Sequence, residues 1–537
     1  MHGPARLDPN FLAGHFTPEQ AAYMFDWQTG TTIYKQLSGE ASITGNLFNL
    51  PAGPVGLALG ITGRRDSIVD TPGAITLAGN AWGASSAGIT AGHEITTEAF
   101  GEVQIPLIKD KPFFRDLSFN GAARITSVKA VQANTGVSES NKGNWTYKLG
   151  GNWAVNPWLR FRGTYGTSFR APALFEEFKA NETGFESART MDPCVQWGSN
   201  LKAGNIDQRI ADNCASQNIP SNYGGGSVFA TVFSQGGIGE LTPETSTAKT
   251  ASVILTPHFG FLGGTNLSLA VDWFDIKVKG EISQLGAHNI VFGCYDSASF
   301  PTDPLCSLFA RGETGNGNLD PHAITSVHDK YINIASQESR GFDFTGQIQH
   351  DLGRWGSVTL LGNATLSTKA SFALFASTEE DLLGVIDDTT GNTGTERFVG
   401  DLNLTWKPHG GWTFFWGANI FGKWSNNSVY KAVHAGSLCN STDPNDPTYS
   451  PTTQLYGAFC VRVSVPTVVY HSASVTKKFD KLGLELTLGV RNIFDTRPPQ
   501  VSTIGGTGLP LTIGPVIATS QYDFLGRRLF FNVSKKF

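Results

Sequence analysis

The sequence predicts an all-β protein, a transmembrane antiparallel β-barrel, on three observations. Runs of about ten residues alternate apolar with polar side chains, the connections between runs alternate short with long, and all six cysteines fall in the long ones. A period of two is the mark of a strand with one apolar and one polar face. No segment competes as a spanning helix. The long uncharged run Thr250–Val271 is interrupted by Pro257, Gly263, Gly264 and Asn266, whereas a helix needs about 20 predominantly apolar residues to cross. With 40 basic against 45 acidic residues the chain also lacks the basic excess of a nucleic-acid partner.

In chain order, residues 1 to about 37 show no period, and MHGPARLDPNF has neither the basic start nor the apolar core of a signal peptide. Strands are then expected near Leu37–Leu50, Val55–Arg65, Ile89–Leu107, Leu117–Val128, Trp145–Val155 and Leu159–Arg170. A second group is expected near Lys249–Phe259, Leu267–Ile282, Ser339–Leu352, Val358–Phe372, Arg397–Lys407, Trp412–Trp424, Val468–Phe479, Gly483–Phe494 and Leu525–Phe537, about fifteen in all. Tight connections are read at Pro51–Pro54, Ile108–Asp116, Asn156–Trp158, Gly260–Asn266, Gly353–Ser357, Pro408–Gly411 and Asp480–Leu482. Long ones intervene at Asp66–Gly88, Lys129–Asn144, Ala171–Thr250, Ser283–Glu338, Ala373–Glu396, Ser425–Thr467 and Asp495–Leu525. Strict alternation gathers the short turns at one end of the sheet and the long loops at the other, as in outer-membrane barrels. Greek-key sandwiches have no reason to sort their loops this way.

The faces agree. Leu484, Leu486, Leu488 and Val490 oppose Glu485, Thr487, Gly489 and Arg491, and Leu159 and Phe161 oppose Arg160, Arg162 and Thr164. In the last stretch, LGRRLFFNVSKKF, Leu529, Phe531, Val533 and Phe537 share one parity, interrupted by Lys535. Alternation alone fits a soluble barrel with its apolar face inward or a membrane barrel with that face on lipid. About fifteen strands would enclose a space too wide for side chains to fill, so the apolar face is assigned to lipid.

The cysteines form local pairs, Cys194 with Cys214, Cys294 with Cys306 and Cys439 with Cys460, each pair within one long loop. Disulfides that staple loops in an oxidising compartment are the expectation. No CxxC or Cys-x-His spacing points to a metal.

At Trp158–Phe178 the chain reads WLRFRGTYGTSFRAPALFEEF, with a Phe-Arg-Ala-Pro turn at Phe169, Arg170, Ala171 and Pro172. Together with ARITSV around Arg124, LTPETSTAKT at Leu241–Thr250, ESRGFDF at Glu338–Phe344, GVRNIFDTRPP at Gly489–Pro499 and YDFLGRRLFFNVSKKF at Tyr522–Phe537, it resembles the barrel of TonB-dependent outer-membrane receptors. These stretches occur in the family's order and cover nearly the whole chain. The resemblance implies a receptor in the outer membrane of a Gram-negative bacterium that binds an extracellular small molecule, often a ferric siderophore and sometimes cobalamin or an oligosaccharide. It implies uptake driven by the TonB complex through an amino-terminal box and plug, and assembly by the barrel machinery acting on a terminal signal, here Leu529, Phe531, Val533 and Phe537. A complete member has twenty-two strands. Neither plug nor TonB box is found, so residues 1–537 are expected to be an amino-terminally truncated barrel. An odd strand set supports that reading, because single-chain bacterial barrels have even numbers.

Individual residues admit two readings each. The Phe169–Pro172 turn ends a strand, since Pro172 has no amide to continue the ladder, or it touches ligand. Arg124, Arg160, Arg162 and Arg491, facing the lumen, pair with acidic groups or attract an anionic chelate. Glu379, Glu380, Asp381, Asp387 and Asp388 form a solvated loop or hold calcium. His322 and His328 lack a spacing that would aim both at one metal. Trp197, Tyr223, Phe229 and Tyr456 pack on their own loops or meet ligand. No cofactor is expected. No G-x-S-x-G, Walker loop or H-E-x-x-H is present, so an enzyme has no motif to stand on. An active-transport receptor and a passive diffusion pore remain as the competing functions.

Overall fold

Fifteen strands pair in chain order into one antiparallel sheet. They are β1 (Thr31–Leu50), β2 (Gly53–Thr71), β3 (Thr90–Lys111), β4 (Phe114–Gln132), β5 (Ser138–Ala154), β6 (Leu159–Arg170), β7 (Glu244–Leu255) and β8 (Thr265–Ser283). The series continues with β9 (Ile332–Asp351), β10 (Ser357–Ala373), β11 (Phe398–Lys407), β12 (Trp412–Phe421), β13 (Val468–Phe479), β14 (Leu484–Arg491) and β15 (Arg528–Lys535). A computed structural model describes residues 13–81, 86–202, 206–226, 229–257, 264–312, 322–373, 379–386, 394–426, 437–439, 460–462, 464–500, 503–504, 510–512 and 521–536. Among the described residues no pairing joins β1 to β15, so both are edges of the sheet.

The expected strands are all present, and several run further toward the long connections. β2 continues to Thr71 rather than Arg65, and β9 begins at Ile332 rather than Ser339. One expectation fails. The connection read as long at Lys129–Asn144 is a tight one at residues 133–137, because the polar residues on either side stay in the β4–β5 ladder through a bulge between Thr126 and Val128. Polarity there marks strand above the apolar band, and a bulge absorbs the misfit without ending the pairing.

Register carries one apolar face across the sheet. Trp153, Phe161, Val253, Val271, Phe344 and Ala364 are successive partners from β5 to β10. Leu360, Leu404, Trp416, Ala473, Val490 and Leu529 continue that face from β10 to β15. Among the described residues no protein layer covers it: Leu488 and its partner Phe531 are 60% and 64% exposed, and Leu529 is 77% exposed. Leu484 and Leu486 lie on the same face, half-buried by neighbouring strands.

Aromatic bands bound this face. Toward the short turns Trp153 stacks on Phe114 with ring centroids 5.6 Å apart, and Trp406 on Phe414 at 5.1 Å. Toward the long connections stand Trp145, Tyr147 and Tyr165. Trp145 and Trp153 are eight residues apart on β5, about 26 Å of strand at ~3.3 Å per residue. That matches an outward apolar band about 25 Å tall flanked by aromatic girdles.

The opposite face is a hydrogen-bonded polar surface. Thr164 and Thr250 hydroxyls meet at 2.6 Å, Thr365 donates to Asp343 at 2.6 Å, Ser252 donates to Asp272, and the Thr476 and Thr487 hydroxyls meet at 2.9 Å.

Candidate functional site

Two of the long connections, residues 171–243 and 284–331, fold together into a cap at the long-connection end. Its four-stranded sheet runs in the order Phe309–Arg311, Ile324–Lys330, Phe229–Gln235, Glu182–Ser187, with the middle pair parallel. Helices Gln208–Ser216 and Ala287–Tyr295 pack on it, and Ile290, Val291, Tyr295, Ile324 and Val327 are fully buried. The disulfides Cys194–Cys214 and Cys294–Cys306 close across Cα separations of 5.6 Å and 4.9 Å within this core. Cys439 and Cys460 are register partners in a two-stranded pairing, and their side chains lie outside the described residues.

A buried ion pair completes the cap. The Arg311 guanidinium, 11% exposed, donates two parallel 2.7 Å bonds to Asp192, 1% exposed, and others to the Tyr295 hydroxyl and the His322 carbonyl. The fork geometry of arginine suits this bidentate contact, and the extra acceptors satisfy its remaining protons.

The cap is joined to the sheet by the Phe169–Pro172 turn. β6 ends at Arg170, whose register partner is Glu244, and Pro172 is buried just beyond. Arg170 donates to Glu244 through Nε at 2.8 Å and Nη2 at 2.5 Å, and to Glu176 through Nη1 at 2.9 Å and Nη2 at 3.0 Å. Glu176 also accepts the Ala173 amide at 2.7 Å, starting the short helix Leu174–Phe178. That helix lies on the polar face of β2–β4. Phe178 and Leu174 bury against Ile68 and Ala130, and Phe178 rests on Gly92, where a Cβ would meet its ring at 2.5 Å. Glu177 is 3% exposed, and burial, with the nearby carboxylates of Glu94, Glu139 and Glu176, pushes its carboxyl up to about 8.

Beside this helix the polar face holds a cavity of about 350 Å³ lined by residues that include Arg64, Glu98, Arg124, Thr146 and Ser168. Arg64 pairs with Asp66 at 2.7 Å and Arg124 with Glu98 at 2.9 Å, while Arg124 also sits 5.0 Å from the Phe100 ring. Forked cations, hydroxyls and carboxylates in one recess can recognise a polar ligand by several directional bonds.

Of the arginines singled out from sequence, all four share the polar face, and Arg124 alone lines the mouth cavity. Arg160 donates to Asn152 at 2.8 Å, and Arg491 lies 5.7 Å from the ring of Phe530. Arg162 is exposed and has no ion pair among the described residues. Leu529, Phe531 and Val533 are on the apolar face, and Phe537 lies outside the described residues. Trp197 donates its indole N–H to the Ile219 carbonyl at 3.0 Å, Tyr223 is buried in the cap core, and Phe229 is exposed. His322 lies edge-on to Tyr223 and His328 stacks on Phe233, so the two histidines face different neighbours. Tyr456, Asp387 and Asp388 lie outside the described residues, as do the side chains of Glu379, Glu380 and Asp381. Among the described residues, no three histidine, cysteine, aspartate or glutamate side chains gather where one ion could be held.

No curated protein matches the chain. The ferripyoverdine receptor of the outer membrane of Pseudomonas aeruginosa, bound to ferripyoverdine, superposes with a TM-score of 0.50 and 12% identity over 94% of this chain and 49% of that one. The ferric enterobactin receptor of Pseudomonas aeruginosa gives a TM-score of 0.47 at 14% identity, covering 94% of this chain and 62% of that one. The chain therefore spans less than two thirds of either receptor's length. The first of these likenesses shows the fold alone. Residues 5–493 match the family model described as TonB dependent receptor-like, beta-barrel, and the chain belongs to that family.

Proposed function

We propose that the chain forms the membrane-embedded barrel of an outer-membrane receptor that captures a scarce nutrient at its outer mouth for energy-coupled uptake. The observation that carries this reading is the ordered, disulfide-stapled cap anchored beside a polar recess at the long-connection end. A passive pore has no use for a cap with its own core and a buried ion pair, since diffusion needs only an open lumen. A ferric siderophore is the ligand class placed first, with cobalamin or an oligosaccharide behind it. The paired arginines and carboxylates around Arg64 and Arg124 support a polar, multidentate ligand. The TonB complex supplies the work in this reading, the barrel assembly machinery inserts the protein, and the outer membrane of a Gram-negative bacterium is its location.

The test is uptake of radiolabelled iron from hydroxamate and catecholate siderophores, alongside labelled cobalamin, in hosts with and without TonB. The reading requires uptake of one ligand that saturates and disappears without TonB. Uptake that is linear in concentration and indifferent to TonB would establish the pore instead.

A further inference from the structure

The cap's four-stranded sheet has two unlike faces. Val232 and its register partner Val327, with Ala230, turn into the core. Their neighbours turn the other way, since side chains alternate along a strand. On that outer face Phe185 pairs with Thr231, Thr231 with Ser326, and Phe233 with His328. Phe229, two residues before Thr231, shares it.

A sheet with its core on one side normally turns polar residues to the other. Here Phe185 and Phe229 are 56% and 60% exposed, and the exposed His328 stacks on Phe233 with ring centroids 4.9 Å apart. Phe185 stands on the diagonal to both Phe229 and Phe233, a backbone separation of about 7–8 Å. The rings therefore surround the Thr231 and Ser326 hydroxyls, which make no hydrogen bond among the described residues. Lys330, next along this face after His328, is held by Glu240.

We propose that this outer face of the cap binds a neutral glycan, with sugar rings against Phe185 and Phe229 and sugar hydroxyls on Thr231 and Ser326. A sugar ring has a face of C–H groups and a rim of hydroxyls. The C–H hydrogens suit the negative face of an aromatic ring, and the rim suits side-chain hydroxyls that both donate and accept. Area argues against a protein partner. Three strands about 4.8 Å apart over four residues of strand span roughly 130 Å², against about 800 Å² per partner in a stable interface. Openness argues against an acyl chain, which gains by leaving water on every side. With Lys330 already paired, no free lysine or arginine on this face selects an anion. The face shares no residue with the recess of Arg64 and Arg124, so the proposal stands whichever nutrient that recess takes.

The test is affinity electrophoresis of the full chain, in a polyoxyethylene detergent that carries no sugar headgroup, through gels containing laminarin, dextran or xyloglucan. Polygalacturonate serves as the anionic comparator. At least one neutral glycan is expected to retard the chain, and polygalacturonate to do so at least tenfold more weakly. Phe185→Ala is expected to lose about tenfold in affinity for the retarding glycan. Phe185→Leu, which keeps apolar bulk without a ring, should lose nearly as much, and Phe185→Tyr should retain it. Leu482→Ala, at an apolar residue 58% exposed at the short-turn end, is the control. Should Phe185→Ala loosen the cap, seen as faster cleavage within residues 171–243, Thr231→Val keeps the shape of the strand and should still lose several-fold. Mobility that none of the three neutral glycans changes would overturn the proposal. So would retardation that polygalacturonate matches, that Phe185→Leu keeps in full, or that Leu482→Ala weakens equally.

Discussion

Arg170 is the residue whose removal should uncouple the cap from the sheet. Replacing it with alanine strips four hydrogen bonds from two carboxylates and leaves Glu244, 9% exposed, with the Ile282 amide at 2.8 Å as its remaining donor. Breaking a fully buried pair costs about 3–5 kcal/mol, and a fully exposed one about 0–1. Arg170 itself is 45% exposed, which places this clamp between those limits, at about 2 kcal/mol. At about 1.4 kcal/mol per tenfold, the open population of the cap should rise roughly 30-fold. Limited proteolysis reads that population directly when reclosing outpaces cleavage. Arg170→Ala should therefore be cut within residues 171–243 roughly 30-fold faster, while the heat-modified mobility of the barrel stays unchanged. Arg170→Lys, which keeps the charge and loses the fork, should fall between. Cleavage at the wild-type rate would refute the clamp, and so would a variant in which cap and barrel melt together.

The same assay run against pH should respond to Glu177. Its folded-state carboxyl lies near 8, above its ordinary 4.5, so the folded form binds the extra proton. Its contribution is complete below about 4.5 and is lost as pH rises through about 8. Cap cleavage should accelerate over that window, and Glu177→Gln should flatten the Glu177 part of the slope; an unchanged slope would remove Glu177 as its source. Asp329, pushed up to about 6 by burial, acts in the same direction below pH 6. Arg311→Ala leaves Asp192 buried without its partner and should cost about 3–5 kcal/mol of cap stability, read as loss of the cap's own unfolding transition. Phe531→Lys places a charge on the apolar face and should cost about 2–4 kcal/mol if Phe531 sits at the bilayer midplane, seen as a lower yield of heat-modifiable protein. A non-reducing peptide map should recover Cys439 linked to Cys460, whose backbones face each other; free thiols at both would contradict the staple.

The sheet was legible because its period is enforced residue by residue. A one-residue slip at Leu488 would turn Thr487 and Gly489 toward lipid and Leu488 into the polar face, so the pattern and the register must agree. The connection at residues 133–137 is shorter than its polarity suggests, because polar residues there remain in strand. The polar run Ser138–Asn144 is strand all the same, and Lys129 pairs with Ser140 in a ladder that resumes past the bulge. Phe530 shows the converse. It is apolar on the polar face, and it is held there by Arg491 above its ring and by Gly489, whose Cβ would clash with it at 2.3 Å.

The cap was out of reach of periodicity for a different reason. Its core takes Ile290 and Val291 from one connection and Met191 and Ile210 from another, carried on helices of four to nine residues, and no single segment repeats long enough to show a face. The cysteines announced two separate staples, one per loop, and gave no hint that both close into the same core. A signal for the joint between cap and sheet was nevertheless present: an arginine ending a strand, a proline two residues on, and glutamates at Glu176 and Glu244 with no other cation in the adjoining turn. The carboxylate of Glu244 is buried by the fold, and Arg170 is the cation that the β6–β7 register delivers to it. The Phe-Arg-Ala-Pro turn thus acts at once as the end of a strand and as the hinge pin of the loops above it, so its arginine is retained by structure before any ligand is considered.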